Sequence, residues 1–118
     1  MSQLAKFIVL ATAWATPLAA NEISFNRDIR PLLSETCFVC HGPDVAEVQG
    51  GLRLDLRESA VGESDSGAHA IVPGDVDASH LVARLESKVP YERMPPPESG
   101  KTLKKDQIQL LKDWIAHG

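Results

Sequence analysis

The only two cysteines of this 118-residue chain, Cys37 and Cys40, stand three residues apart, and His41 follows the second at once: Cys37-Phe38-Val39-Cys40-His41. Three residues is close to one helical turn, so both thiols leave the backbone on the same side, within reach of one flat ligand. The imidazole enters from the next position. C-x-x-C-H is the attachment signature of c-type haem, in which each thiol adds to one vinyl group and the histidine offers a nitrogen to the iron. Gly42 then lets the chain leave the macrocycle without a Cβ in the way. Three other readings compete. A zinc site needs four ligands, and there is no second Cys pair to complete one. A thioredoxin-like dithiol wants a strand–helix–strand frame that the flanking residues do not suggest. A plain disulfide suits an exported chain but leaves His41 without a role.

Export is expected from the first twenty residues. Lys6 precedes the apolar run Phe7 to Ala15, then Pro17, then Leu18-Ala19-Ala20 with small residues at a cleavage point. That is the order of a secretory signal. Phe7 to Ala20 is too short for the roughly 17–20 residues that span a bilayer, so no membrane span is expected to remain after cleavage. The domain then occupies residues 21–118, in the periplasm or an equivalent extracytoplasmic compartment. Beyond the leader, eleven Lys and Arg face sixteen Asp and Glu, a formal charge of −5. Phosphate binding needs clustered basic residues, so a nucleic-acid partner is not expected. A domain this short buries a limited share of its surface and calls for a staple or a bound group.

The rest of the chain reads as helices joined by loops. Ser24 and Asn26 both offer an N-cap for a first helix running to about Thr36, with Ile29, Leu32 and Leu33 on one face. Pro31 should kink this helix or mark its first turn. After Gly50-Gly51, the alternation Leu52-Arg53-Leu54-Asp55-Leu56-Arg57 predicts a short extended segment or strand, near 51–57, with its leucines inward. Residues 62–67 are polar and glycine-rich, hence a loop, and Pro73-Gly74 is a turn. Asp77 or Ser79 caps a helix to about Ser87. Thr102 caps a last one from Leu103 to about Ala116, whose Leu103, Ile108, Leu110, Leu111, Trp114 and Ile115 trace a wide apolar stripe. Packing the first and last helices across each other buries both faces.

A haem iron with one histidine needs a second axial partner for electron transfer, and methionine is common there. After the leader, Met94 is the only methionine, and Pro95-Pro96-Pro97 stiffens the chain behind it. A stiff loop suits a weak Fe–S bond, because the thioether must be held in place. Met94 is therefore the expected sixth ligand, with His69, His80 and His117 as alternatives. Arg53, Arg57 and Arg93 are candidate propionate partners.

Taken in order, six stretches resemble one family, the planctomycete-type cytochrome c domain. They are Phe25-Asn26-Arg27-Asp28-Ile29-Arg30-Pro31-Leu32-Leu33, Cys37 to Gly42, Gly51-Leu52-Arg53-Leu54-Asp55, Ile71-Val72-Pro73-Gly74, Arg93-Met94-Pro95-Pro96 and Trp114-Ile115. The likeness runs from about residue 24 to 116. It implies a mostly α, small cytochrome c-like fold of three or more helices around one covalently attached haem c. Cys37 and Cys40 would hold the porphyrin, and His41 and Met94 the iron. The expected function is one-electron transfer between transient redox protein partners, not enzymatic catalysis. No nucleophile–base pair or phosphate loop supports a hydrolase or nucleotide enzyme. The alternatives are a catalytic or sensory haem domain with an open sixth site, and a haem module of a larger exported protein. In that family the domain usually fronts a much longer chain, whereas here Gly118 follows the last helix directly.

Overall fold

The computed structural model describes residues 8–14 and 22–118. The first seven residues of the expected leader, and its expected cleavage point, therefore lie outside the described residues. Residues 8–14 carry no helix or strand, and Ile8, Val9, Leu10 and Trp14 are exposed.

Helix formation starts at Ser24. Its hydroxyl accepts the Arg27 N–H at 3.4 Å, and the Asp28 carboxylate accepts the Ser24 N–H at 2.8 Å, so side chains satisfy both orphan donors. Ser24, not Asn26, is the cap. The first turn, Phe25–Ile29, is a π turn in which the Arg30 N–H reaches back to the Phe25 carbonyl. Pro31 explains it: the ring has no N–H and collides with the carbonyl four residues earlier in an α-helix, and an extra residue in the turn relieves both. The chain runs on as α1 (Arg30–Thr36), with Pro31 in its first turn, and then α2 (Phe38–His41). Further along come α3 (Arg57–Val61), α4 (His80–Glu86), a 3-10 turn at Pro97–Ser99 and α5 (Lys105–His117).

The core lies where α5 packs against the π turn that leads into α1. Ile29, Leu33, Leu111 and Ile115 are all but fully buried there, and the Phe25 and Trp114 rings meet at 5.5 Å in a tilted pair. The helical periodicity had pointed to these faces. The start of α5 differs from expectation. Thr102 does not cap it, and the Lys104 N–H donates instead to the Gln107 side-chain oxygen at 2.8 Å. Leu103 sits ahead of the helix yet still packs against the core.

Ser79 precedes α4 as expected, but its buried hydroxyl does not cap the helix. It accepts the Val72 N–H at 2.9 Å and donates to the Asp75 carbonyl at 2.8 Å, closing the Pro73-Gly74 turn. Gly74, at φ 80°, turns its N–H onto the Ile115 carbonyl at 2.7 Å. A side chain would strain that left-handed position.

The extended, inward-facing segment near 51–57 is not formed. No strand occurs among the described residues, and the lone bridge joins Glu63 to His69. Leu54 is buried at 5% exposure, whereas Leu56 is 46% exposed. An alternating sequence makes a strand only when a neighbour takes its backbone groups. Here those groups are taken elsewhere: the Leu52 carbonyl and Leu54 N–H bond to His41, the Arg53 N–H bonds to Ser59, and the Leu56 carbonyl opens α3 by accepting the Ala60 N–H.

Candidate functional site

Local backbone chemistry places the three motif residues on one turn. Cys37 ends α1, giving its N–H to Leu33, and its carbonyl then accepts the N–H groups of Cys40 at 3.2 Å and His41 at 2.9 Å. Both thiols are free and half-buried. Burial pushes the Cys37 thiol up from its ordinary pKa, partly offset by its 3.3 Å contact with the Thr36 hydroxyl and by the charge of Lys101. A buried neutral thiol is a poor spontaneous nucleophile.

The loop that follows folds back over this turn. The Gln49 N–H donates to the Cys40 carbonyl and the Leu54 N–H to the His41 carbonyl, each at 2.8 Å. The decisive contact is between His41 Nδ1 and the Leu52 carbonyl oxygen, 3.1 Å apart. A carbonyl can only accept, so Nδ1 is the donor of this pair, and Nε2 is the ring nitrogen left to face a ligand. A histidine that ligates metal needs this arrangement, one nitrogen fixed by a carbonyl and the other presented as ligand.

Gly42 has a different reason from the one the sequence suggested. A Cβ there would overlap the Phe38 carbonyl oxygen and come within 2.7 Å of the Phe38 Cβ. The constraint comes from the preceding turn of α2, independently of any ligand.

Met94 lies in the loop between α4 and α5. Its N–H donates to the Arg84 carbonyl at 3.1 Å, Arg84 holds the Glu92 carbonyl at 3.2 Å, and Ser99 closes the proline run onto Pro96. The half-buried side chain lines an open cavity with Pro90, Tyr91, Arg93, Pro96 and Glu98. Neither Cys37, Cys40 nor His41 lines that cavity. The structure thus brings the motif residues together and sets Met94 on a separate, anchored loop.

The other candidates have local partners. His69 Nδ1 meets the Val61 carbonyl at 2.9 Å, and His117 Nδ1 meets the Asp113 carbonyl of its own helix at 2.7 Å. His80 is half-buried in the first turn of α4. Arg53 is paired with Asp55 through two hydrogen bonds, at 3.1 and 2.6 Å, which holds the Asp55 carboxyl below its usual pKa. Arg53 is thereby less available to a propionate than its sequence position implied. The Leu52 carbonyl was invisible to sequence reasoning, because a backbone oxygen has no residue signature.

The donor set fits a haem better than a metal ion alone. Among the described residues, no three His, Cys, Asp or Glu side chains gather around one point as a metal site would require. Two separate thiols and one imidazole with a free Nε2 suit a ligand that is held at its rim and bound at its centre. No described helix is long and apolar enough to cross a membrane.

No curated protein and no solved structure matches this chain. A family model does: planctomycete cytochrome C, over residues 37–98. That stretch starts at the first motif cysteine and includes Met94 and the proline run. It is narrower than the likeness read from the sequence, since α1 and α5 fall outside it, yet it covers more than half of the chain. On that match, the chain belongs to the planctomycete cytochrome c family.

Proposed function

We propose that this chain is an exported cytochrome c domain that binds one haem c and passes single electrons between protein partners. Cys37 and Cys40 would hold the porphyrin through thioether bonds, and His41 Nε2 and Met94 Sδ would hold the iron. When bound, the haem supplies an iron that cycles between ferrous and ferric states. The chain's own part is to hold that group rigidly, keep water from it and set its potential. The observation that carries this reading is the Leu52 carbonyl on His41 Nδ1, which orients the ring and frees the other nitrogen.

Support for Met94 comes from its being the only methionine beyond Met1 and from its anchorage at both ends, to Arg84 and to the proline run. Electron exchange needs no substrate pocket, only a docking face and a brief encounter burying less than about 1,200 Å². With a charge of −5 beyond the leader, that encounter favours a partner with a basic face.

The test is an absorption spectrum of protein matured by a host with haem-attachment machinery. The ferric protein is expected to show the weak near-red band of sulfur–iron ligation. Met94→Ala should remove that band, lower the potential and let the ferrous iron take up carbon monoxide. Persistence of the band in Met94→Ala would refute the Met94 assignment. Ready carbon monoxide uptake by the unaltered protein would replace the carrier reading with a catalytic or sensory one.

A further inference from the structure

One peptide group, the unit joining Leu52 to Arg53, is hydrogen-bonded at both ends. Its carbonyl oxygen lies 3.1 Å from His41 Nδ1, and its N–H donates to the Ser59 hydroxyl oxygen at 2.8 Å. Ser59 belongs to α3, six residues further along, and is half-buried. It is itself well anchored: the neighbouring Ala60 is 5% exposed, its N–H is held by the Leu56 carbonyl, and its own carbonyl accepts the Ile71 N–H at 3.1 Å. The Leu54 N–H adds a second grip on His41, through the histidine's carbonyl. The tripeptide Leu52-Arg53-Leu54 therefore clamps His41, and Ser59 holds the clamp by its middle amide.

A planar peptide transmits what happens at one end to the other. When its N–H donates, electron density moves to the carbonyl oxygen, which becomes a stronger acceptor by about 10–30% per bond in such chains. A stronger acceptor on Nδ1–H makes the imidazole a more basic donor through Nε2. A more basic ligand nitrogen would favour the ferric state of a bound haem.

We propose that Ser59 is a positioning residue for the axial histidine, setting the orientation and basicity of His41 through the Leu52–Arg53 peptide group. The proposal rests on the haem reading given above. Ser59 touches neither ligand nor thiol, and it acts only through the peptide.

The test compares the haem-loaded unaltered protein with Ser59→Ala and Ser59→Thr by redox titration. Ser59→Ala is expected to shift the one-electron equilibrium about threefold toward the ferrous form, which at 59 mV per tenfold raises the midpoint by about 30 mV. Ser59→Thr keeps the hydroxyl and should restore the original midpoint. A merely structural serine would change melting temperature without this ordered change in potential. Equal midpoints for unaltered and Ser59→Ala protein would overturn the proposal, as would Ser59→Thr shifting as far as Ser59→Ala. If Ser59→Ala does not fold, amide exchange in the unaltered ferrous protein decides: the Arg53 N–H should be strongly protected, and exchange at the rate of an exposed amide would overturn the proposal. Failure of the unaltered protein to acquire haem would appear before any variant is compared, refuting the functional reading and this inference with it.

Discussion

Replacing both motif cysteines, Cys37→Ala with Cys40→Ala, is expected to abolish covalent haem. No haem-stained band should survive denaturing electrophoresis, whereas the unaltered protein shows one at the mass of the chain. Each single variant keeps one thioether and should retain a weaker band with an altered ferrous spectrum. The expected loss extends to folding. Among the described residues ten hydrophobic residues make up the buried core, and two of them are alanines. A domain with so little apolar burial depends on a bound group to close its balance against chain entropy. The double variant should therefore lack the far-ultraviolet helical signal of the loaded protein. A fully helical double variant would show that the core suffices alone, and a retained haem-stained band would remove the basis of the attachment reading.

Leu111→Ala is expected to give the largest stability loss that leaves the haem motif untouched. Leu111 is 1% exposed on α5, in the same core as Ile29, Leu33 and Ile115. Removing a buried leucine side chain costs its transfer energy and leaves a cavity, together about 3 kcal/mol. For a domain of this size that lowers the melting temperature by roughly 12–24 °C, read from far-ultraviolet circular dichroism of the loaded protein. Leu56→Ala is the control. Leu56 is 46% exposed, so its truncation should cost less than about 1 kcal/mol. An alternating strand would bury Leu56 and make the two losses comparable, and that outcome would contradict the irregular, α3-leading conformation of residues 52–57.

The Cys37-x-x-Cys40-His41 motif stood out because it consists of residue types at fixed spacing. Two thiols and an imidazole within five consecutive residues can be recognised without any knowledge of the fold. The faces of the first and last helices were legible for a related reason: Ile29, Leu33, Leu111 and Ile115 recur at helical spacing, and burial follows from that periodicity. The cap of the first helix was narrowed to Ser24 or Asn26, but the choice depends on which side chain meets the Arg27 N–H, a three-dimensional fact. The π turn before α1 was foreshadowed only as a disturbance at Pro31.

The strand expected near 51–57 shows where local pattern loses to tertiary competition. Period-two alternation says which side chains would share a face if the chain were extended. It does not say which groups will claim the backbone. His41 and Ser59 claim it here, Leu56 turns outward, and a helix begins where a ladder might have continued.

By itself, then, the sequence displayed the Cys37-x-x-Cys40-His41 pattern, the helical class and the apolar faces of the terminal helices, because each is written in residue identity and short-range periodicity. Tertiary structure alone decided which carbonyl holds His41, that Ser59 braces that carbonyl through its peptide, and that Arg53 is paired with Asp55. Those are contacts between residues two to eleven positions apart, made largely through backbone atoms that every residue carries. Such atoms have no signature in a sequence, and only folding assigns their partners.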